Sequence, residues 1–413
     1  MLSSPLCEPL PLSNSVRRYD WGSVDAIPQL LGREPDGEPQ AELWLGAHAQ
    51  APSVVQLGGE EIGLDRHIAE APEQALGPRV AEQFGPRLPF LLKVLAAGKA
   101  LSLQVHPSRT QAIEGHEREL RRGIAPGDPR RSFHDDQHKP EMILALTEVN
   151  GLAGFRRPQV ILDLLDGVEG ALAETVRSKL LADRGAGRTR RAFQSLIAAR
   201  SDPRMLSELD VAVESIRRRL AAGSPYPRAD STVLALIEQH PADPGALASL
   251  MLNRFTLDPG EAAFIPVRQV HAYLSGMGVE VMANSDNVLR AGLTTKYMDE
   301  GALLYCASFL PCDLTLPEVS YTGSGERTQN YRVPASEFAL TVTVLHTGST
   351  DAEELPADGP RIVLALDGDL QLLCDRADGR SMHLPRGASA FIPHAAGGIR
   401  LSGSGRAVCA WVP

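Results

Sequence analysis

One stretch of this chain occurs twice, and that repetition constrains the fold more than any other feature. LDPGEAAFIPVRQVHAYLSGMG, beginning at Leu257, aligns without gaps onto LPRGASAFIPHAAGGIRLSGSG, beginning at Leu384. Gly260, Phe264, Ile265, Pro266, Leu274, Ser275 and Gly276 find identical partners in Gly387, Phe391, Ile392, Pro393, Leu401, Ser402 and Gly403. Two copies of one unit are expected. Each copy reads as short strands punctuated by Gly and Pro. FALTVTVLHTG, RIVLALDGDLQLLCD and ASAFIPHAA alternate apolar and polar residues between turn signals.

A P-x-G or P-G turn ahead of an x-F-I-P strand, repeated among many short strands, predicts double-sheet jelly rolls of the cupin type. The expected class is therefore mainly β: two cupin-type jelly rolls with an α-helical insertion between them. From Pro158 to Leu252 the apolar residues fall three and four apart, as in VILDLLDGVEGALAETVRSKLLADR and MLSELDVAVESIRRRLAAG. Ser231, Asp202, Asp210 and Asp243 stand near the expected helix starts as caps. The expected division is a split first jelly roll over 1–157 and 253–320, a helical insertion over 158–252, and a second jelly roll over 321–413.

The first copy carries a histidine that the second lacks, because His271 falls opposite Gly398. His271 belongs to a set of four candidate metal ligands delivered by three segments: Gln104 and His106 in LSLQVHPS, Glu141 in HKPEM, and His271 in VRQVHAYLSG. Gln104 and His106 are two residues apart, so on a strand both point to one face. Nitrogen and oxygen donors without thiolate suit a catalytic zinc, which keeps a position open for water or substrate. The other histidines weighed, His48, His67, His116, His240 and His346, lack such company and are assigned to surface or supporting places.

Composition narrows the partners. With 413 residues the chain can bury several cores. A formal charge of -10 argues against a nucleic-acid groove or an anionic membrane surface. The start, MLSSPLCEPLPLSN, lacks a basic segment followed by an apolar one, so no signal peptide is expected. LPFLLKVLAA is interrupted by Lys93 and too short to span a bilayer. Five scattered cysteines, Cys7, Cys306, Cys312, Cys374 and Cys409, argue against a secreted disulfide framework and for the cytoplasm. Cys306 and Cys312 read as buried thiols rather than a metal pair.

Several longer motifs carry a resemblance. YDWGS at Tyr19, AELWLGAH at Ala41, LPFLLKVL followed by KALSLQVHP, HKPEM with GLAGFR, and HAYLSGMGVEVMANSDNVLRAGLTTK occur in one order. Over nearly its whole length the chain resembles type I phosphomannose isomerases. The resemblance implies one zinc ion per chain on Gln104, His106, Glu141 and His271, a catalytic Arg290, and interconversion of mannose 6-phosphate and fructose 6-phosphate.

That reaction moves a proton between C1 and C2 through an enediol. A zinc ion would stabilise the developing oxyanion, and a neighbouring group would carry the proton. Lys139, His138, Glu280 and Asp286 are the candidate carriers. Lys139 is chosen as the catalytic one because it shares a face with Glu141, with an ion pair to Glu141 or Asp136 as its structural alternative. Arg290 stays protonated. Its expected work is electrostatic, the alternative being a salt bridge to Asp286 or Glu280. Lys93, Ser102 and Lys296 are the candidate phosphate contacts, and Glu280 and Asp286 further substrate contacts. Arg118, Arg121, Arg122, Arg130 and Arg131 read as a solvated face or lid, and Trp21 and Trp44 as core aromatics. The expected partner is a small sugar phosphate, with the chain acting as a monomer. Competing readings are a cupin metal oxygenase, against which Gln104 counts because such a site would be His-rich, and a non-catalytic sugar-binding cupin.

Overall fold

The computed structural model describes residues 7–182, 185, 187–325, 327–348, 352–375 and 381–413. The first residues of the segment read for a signal peptide, and the end of the helical stretch at 183 and 184, lie outside the described residues. Among the described residues, two large antiparallel sheets of ten and nine strands carry the β structure. Both sheets have free ends, so they form open jelly rolls rather than closed barrels.

One long strand, His271–Ala283, organises the first sheet. Gly276 to Ala283 register onto Ala97 to Phe90, whereas His271 to Ser275 turn away to pair with Val149–Phe155. The bend falls at Gly276, whose φ of 106° disfavours a side chain. A Cβ there would lie 2.2 Å from the Glu148 carbonyl oxygen. The repeat reproduces this device. Strand Ser389–Ile392 matches Ala262–Ile265, strand Ile399–Trp411 matches the long strand, and Gly403 has φ 108°.

Strand Phe90–Ala97 is buried at every position because both of its faces are covered. Phe90, Leu92, Val94 and Ala96 share one core with Leu340, Ile362, Phe391 and Val408 of the second sheet. The alternate face carries Lys93 into the interior of the first sheet. The strand Leu10–Pro11 pairs with Phe391 and Ala390 at the edge of the second sheet, before the chain enters the first.

Five helices, Pro158–Leu165, Ala171–Leu181, Gly187–Ala199, Pro203–Ala221 and Pro227–Gln239, lie between the strands that build the first sheet. Their apolar stripes share a core with Leu103, Val105, Leu152 and Phe155. Asp202 caps as expected, accepting from the Arg204 amide at 2.9 Å. Ser231 does not, because Pro227 already occupies the first turn of its helix and Ser231 sits inside it. Asp210 likewise lies within a helix, and Asp243 accepts from the Gly245 amide at 2.8 Å.

In the arginine-rich segment Arg121, Arg122 and Arg130 are exposed and Arg118 half-buried, and Arg131 alone of the five departs from a solvated face. Residues Arg109–Arg121 form a helix closed by a Ser108/Gln111 capping box. Arg131 is buried rather than solvated, and its guanidinium donates to the Ile124 carbonyl at 2.9 Å and the Phe133 carbonyl at 3.1 Å. The burial follows from those backbone acceptors and from Glu119, 3.9 Å away.

Candidate active site

Three adjacent strands set out the site. Leu103–Val105 lies between the start of the long strand and Leu289–Gly292, and the register places His271 opposite Gln104 and Gln104 opposite Arg290. Directly opposed residues share a face. Imidazole, amide and guanidinium therefore stand in one row, while Leu103 and Val105 point back into the core shared with the helices. Glu141 opens the strand Glu141–Ala145, where it pairs with Met282 and Ile265.

His106, Glu141 and His271 are all buried, and their donor atoms lie within 4.8 Å of one another. His106 Nε2 is 3.2 Å from Glu141 Oε1, and His271 Nε2 is 3.3 Å from Glu141 Oε2. The Gln104 side-chain amide ends 3.3 Å from the same His271 Nε2. The opposite ring atoms are fixed by backbone. His106 Nδ1 donates to the Asn287 carbonyl at 2.7 Å, and His271 Nδ1 donates to the Gln269 carbonyl at 2.9 Å. Each ring is thus held in the tautomer that leaves Nε2 with a free lone pair.

Those lone pairs face a carboxylate that also only accepts. Among the described residues His106 Nε2 and Glu141 Oε2 have no hydrogen-bond partner. Burial pushes His106 down to about 4 against the pull of Glu141. Burial would raise Glu141, but His106 and Lys139 outweigh it and hold the carboxyl well below its ordinary value. Imidazole nitrogens aimed at an ionised carboxylate in a dry pocket repel it unless a cation sits among them. The donor set fits a divalent metal of the imidazole and carboxylate type.

A cleft of about 510 Å³ opens over this cluster. Every candidate substrate contact from the sequence lines it: Lys93, Ser102, Glu280, Asp286 and Lys296, together with Lys139 and Arg290. Their engagements differ. Lys93 is buried on the cleft floor between Glu280 at 3.3 Å and Glu42 at 3.5 Å, its ammonium 5.3 Å from the Trp44 ring centroid. Burial depresses its pKa, but the two carboxylates outweigh that and hold it above the ordinary lysine value. It is committed to them rather than free for phosphate. Burial, and then the Glu141 charge, push Glu280 up to about 7.

Lys139 reaches Glu141 Oε1 at 3.1 Å. Asp286 holds His48 Nε2 at 3.2 Å and accepts from the Gln50 amide at 2.9 Å. Among the described residues Arg290 and Lys296 form no ion pair, and burial lowers the pKa of each, with Arg290 adding to the effect on Lys296. His138 turns away from the metal cluster, binding Glu337 of the C-terminal part at 2.6 Å. Trp21 and Trp44 line the cleft as well as packing, with Trp21 stacked on Tyr19 at 5.7 Å.

Some contributors carry no signal a sequence reading would catch. Asn287 and Gln269 act through main-chain oxygens. The Asn287 side chain is locked by donating to the Asp135 and Gln137 carbonyls at 2.9 and 2.7 Å, and Asp135 in turn accepts from Ser285 Oγ at 2.8 Å. This network ties HDDQHK to NSDN and so fixes the carbonyl that orients His106. Lys99 also lies on the cleft wall. A larger groove of about 920 Å³ lies against the second sheet near Thr341 and Trp411, away from the buried cluster.

Comparison with known proteins agrees with this geometry. The description "Phosphomannose isomerase type I, catalytic domain" matches residues 10–158. The mannose-6-phosphate isomerase of Salmonella typhimurium is 35% identical over 399 residues, covering 96% of this chain and 97% of that protein. The chain belongs to the type I phosphomannose isomerase family. The Rattus norvegicus mannose-6-phosphate isomerase is 31% identical over 407 residues, covering 92% of each chain. A solved mannose 6-phosphate isomerase, described as holo and zinc bound, superposes with a TM-score of 0.87 at 33% identity, covering 98% of this chain and 99% of that one. This phosphomannose isomerase family member therefore shares the fold of its relatives from end to end.

Proposed function

We propose that this chain is a zinc-dependent aldose–ketose isomerase that interconverts mannose 6-phosphate and fructose 6-phosphate, with one zinc ion held by Gln104, His106, Glu141 and His271. The observation that carries the reading is the buried convergence of two backbone-fixed imidazole Nε2 atoms on Glu141, whose Oε2 lacks a donor among the described residues. When bound, zinc supplies Lewis acidity that polarises the sugar oxygens at the reacting carbons.

The chain's own residues do the rest. Lys139 and Glu280 border the cluster and are assigned to move the proton between C1 and C2; Lys139 is ion-paired with Glu141 here, and the assignment requires it to abstract the proton as a neutral amine, released from that pair when a cation takes Glu141. Arg290 stands in the ligand row without an ion-pair partner among the described residues, so its charge is assigned to the enediol oxygens. Lys296, Ser102 and Lys99 lie on the outer cleft wall and are assigned to the phosphate. Lys93 balances Glu42 and Glu280 beneath the sugar, and Asp286, fixed by His48 and Gln50, orients its hydroxyls.

The split unit, 1–157 with 253–320, is assigned the chemistry. The helices of 158–252 brace its ligand strand, and 321–413 covers its outer face. The chain is assigned to act as a monomer. The five cysteines are free, which supports the cytoplasm, and no described helix is long and apolar enough to cross a membrane. A coupled assay on mannose 6-phosphate tests the reading against its rivals. Zinc-loaded protein should form fructose 6-phosphate, and Glu141→Gln should lose metal and turnover together. Sugar binding without turnover would favour the non-catalytic alternative, and turnover at full rate by metal-free Glu141→Gln would overturn the metal assignment.

A further inference from the structure

A second cavity, of about 450 Å³, lies between the helix Pro227–Gln239 and the outer face of the first sheet. The helix contributes Arg228, Ser231, Thr232, Ala235 and Gln239, which recur at three, four and seven residues and so form one stripe. The sheet contributes Arg254, with Asn150 and Ser275 on neighbouring strands. Neither arginine forms an ion pair among the described residues.

Their guanidiniums are held close by neutral groups alone. Arg228 Nη2 donates to Thr256 Oγ1 at 2.7 Å, Thr256 Oγ1 donates to Asn150 Oδ1 at 2.8 Å, and Arg254 Nη2 donates to that same Oδ1 at 3.0 Å. Arg254 Nε is buried with no acceptor among the described residues. Burial depresses the Arg254 pKa, Arg228 depresses it further, and Glu148 pulls the other way. Glu148 accepts from the Asn150 amide at 2.9 Å and reaches neither guanidinium as an ion pair. Two cations facing one cavity, one with an unsatisfied donor, are what a bidentate oxyanion would complete.

We propose that this cavity is a second anion site, separate from the cleft above the metal cluster, which takes a phosphate group through Arg254 and Arg228. The site adjoins the cleft. Gln239 and Ala100 line both cavities, and Gln239 Oε1 accepts from the Ala100 amide at 2.8 Å. Occupancy would reach the cleft through the wall that also carries Lys99 and Ser102.

The test titrates zinc-loaded full-length protein with orthophosphate and, in a parallel arm, with glycerol 3-phosphate, following binding by calorimetry. Wild type and the variants Arg228→Gln, Arg254→Gln and Lys296→Gln are compared, the last removing a cation assigned to phosphate in the cleft. Arg228 is exposed, so its variant keeps the test valid if Arg254→Gln folds poorly. The expected result is a binding event weakened about tenfold or more in Arg228→Gln and Arg254→Gln but kept in Lys296→Gln. Binding of orthophosphate identifies free phosphate as sufficient, and binding of the ester alone identifies a phosphomonoester site; either supports the proposal. No binding of either ligand, unchanged binding in Arg228→Gln, or loss confined to Lys296→Gln, overturns it. Because the readout is binding, its failure is distinguishable from a failure of the isomerase assay.

Discussion

Replacing Lys93 with methionine tests the charge balance beneath the cleft. The side chains are similar in size, so packing changes little. Electrostatics change a great deal. Lys93 stands between Glu280 at 3.3 Å and Glu42 at 3.5 Å, and all three are buried. Removing one partner from a buried pair costs about 3–5 kcal/mol, and here a single ammonium serves two carboxylates. The loss is limited by proton uptake, because Glu280 already sits at about 7 and Lys93 is among the groups holding it down. In the variant Glu280 should titrate higher. Between pH 7 and that new value the folded variant keeps a proton that folded wild type has released, while both unfolded chains are ionised. The stability gap should therefore widen with pH by up to about 1.4 kcal/mol per unit. Lys93 is itself raised, so it stays charged across the range and adds no slope of its own. Thermal unfolding of metal-free protein at pH 6 and pH 8.5 reads the effect. A melting temperature lowered at pH 6 and lowered further at pH 8.5 is expected, whereas a shift independent of pH, or none, would refute the reasoning.

Arg290→Ala should keep its zinc and fold yet lose about 10²- to 10³-fold in kcat, checked by measuring metal content and turnover on one preparation; an unchanged kcat removes Arg290 from the chemistry. Turnover in deuterated water should place deuterium at C1 or C2 of the sugar phosphate, as mass spectrometry would read, whereas a hydride shift would leave none. Lys139→Ala should slow that exchange, and a wild-type rate would dismiss Lys139 as the base. Arg131→Met should destabilise the protein by about 2–3 kcal/mol, measured by denaturant unfolding, since two carbonyls and Glu119 lose their buried cation.

The repeat was legible because it is carried by turn glycines and the F-I-P strand, whose backbone demands are local. Gly276 and Gly403 adopt nearly the same φ for the same steric reason. The ligand row was legible because a two-residue spacing on a strand fixes a face without knowledge of the rest. What lay hidden was set by long-range contact. Nothing near Leu10 announces that it will pair with Phe391, nothing in HKPEM shows that His138 turns to Glu337, and Arg131 looks like its solvated neighbours until Ile124 and Phe133 offer their carbonyls. The groups that orient the histidines are main-chain oxygens of Asn287 and Gln269, which have no side-chain signature.

Stepwise removal and return of zinc on a single preparation tests the central claim most directly. Zinc per chain by elemental analysis and mannose 6-phosphate turnover are measured together as a chelator strips the protein and zinc is added back. One zinc per chain at full activity, with turnover falling and recovering in proportion to occupancy, is the predicted result. Two tightly held zinc ions per chain, or turnover that persists after the metal is gone, would contradict the account.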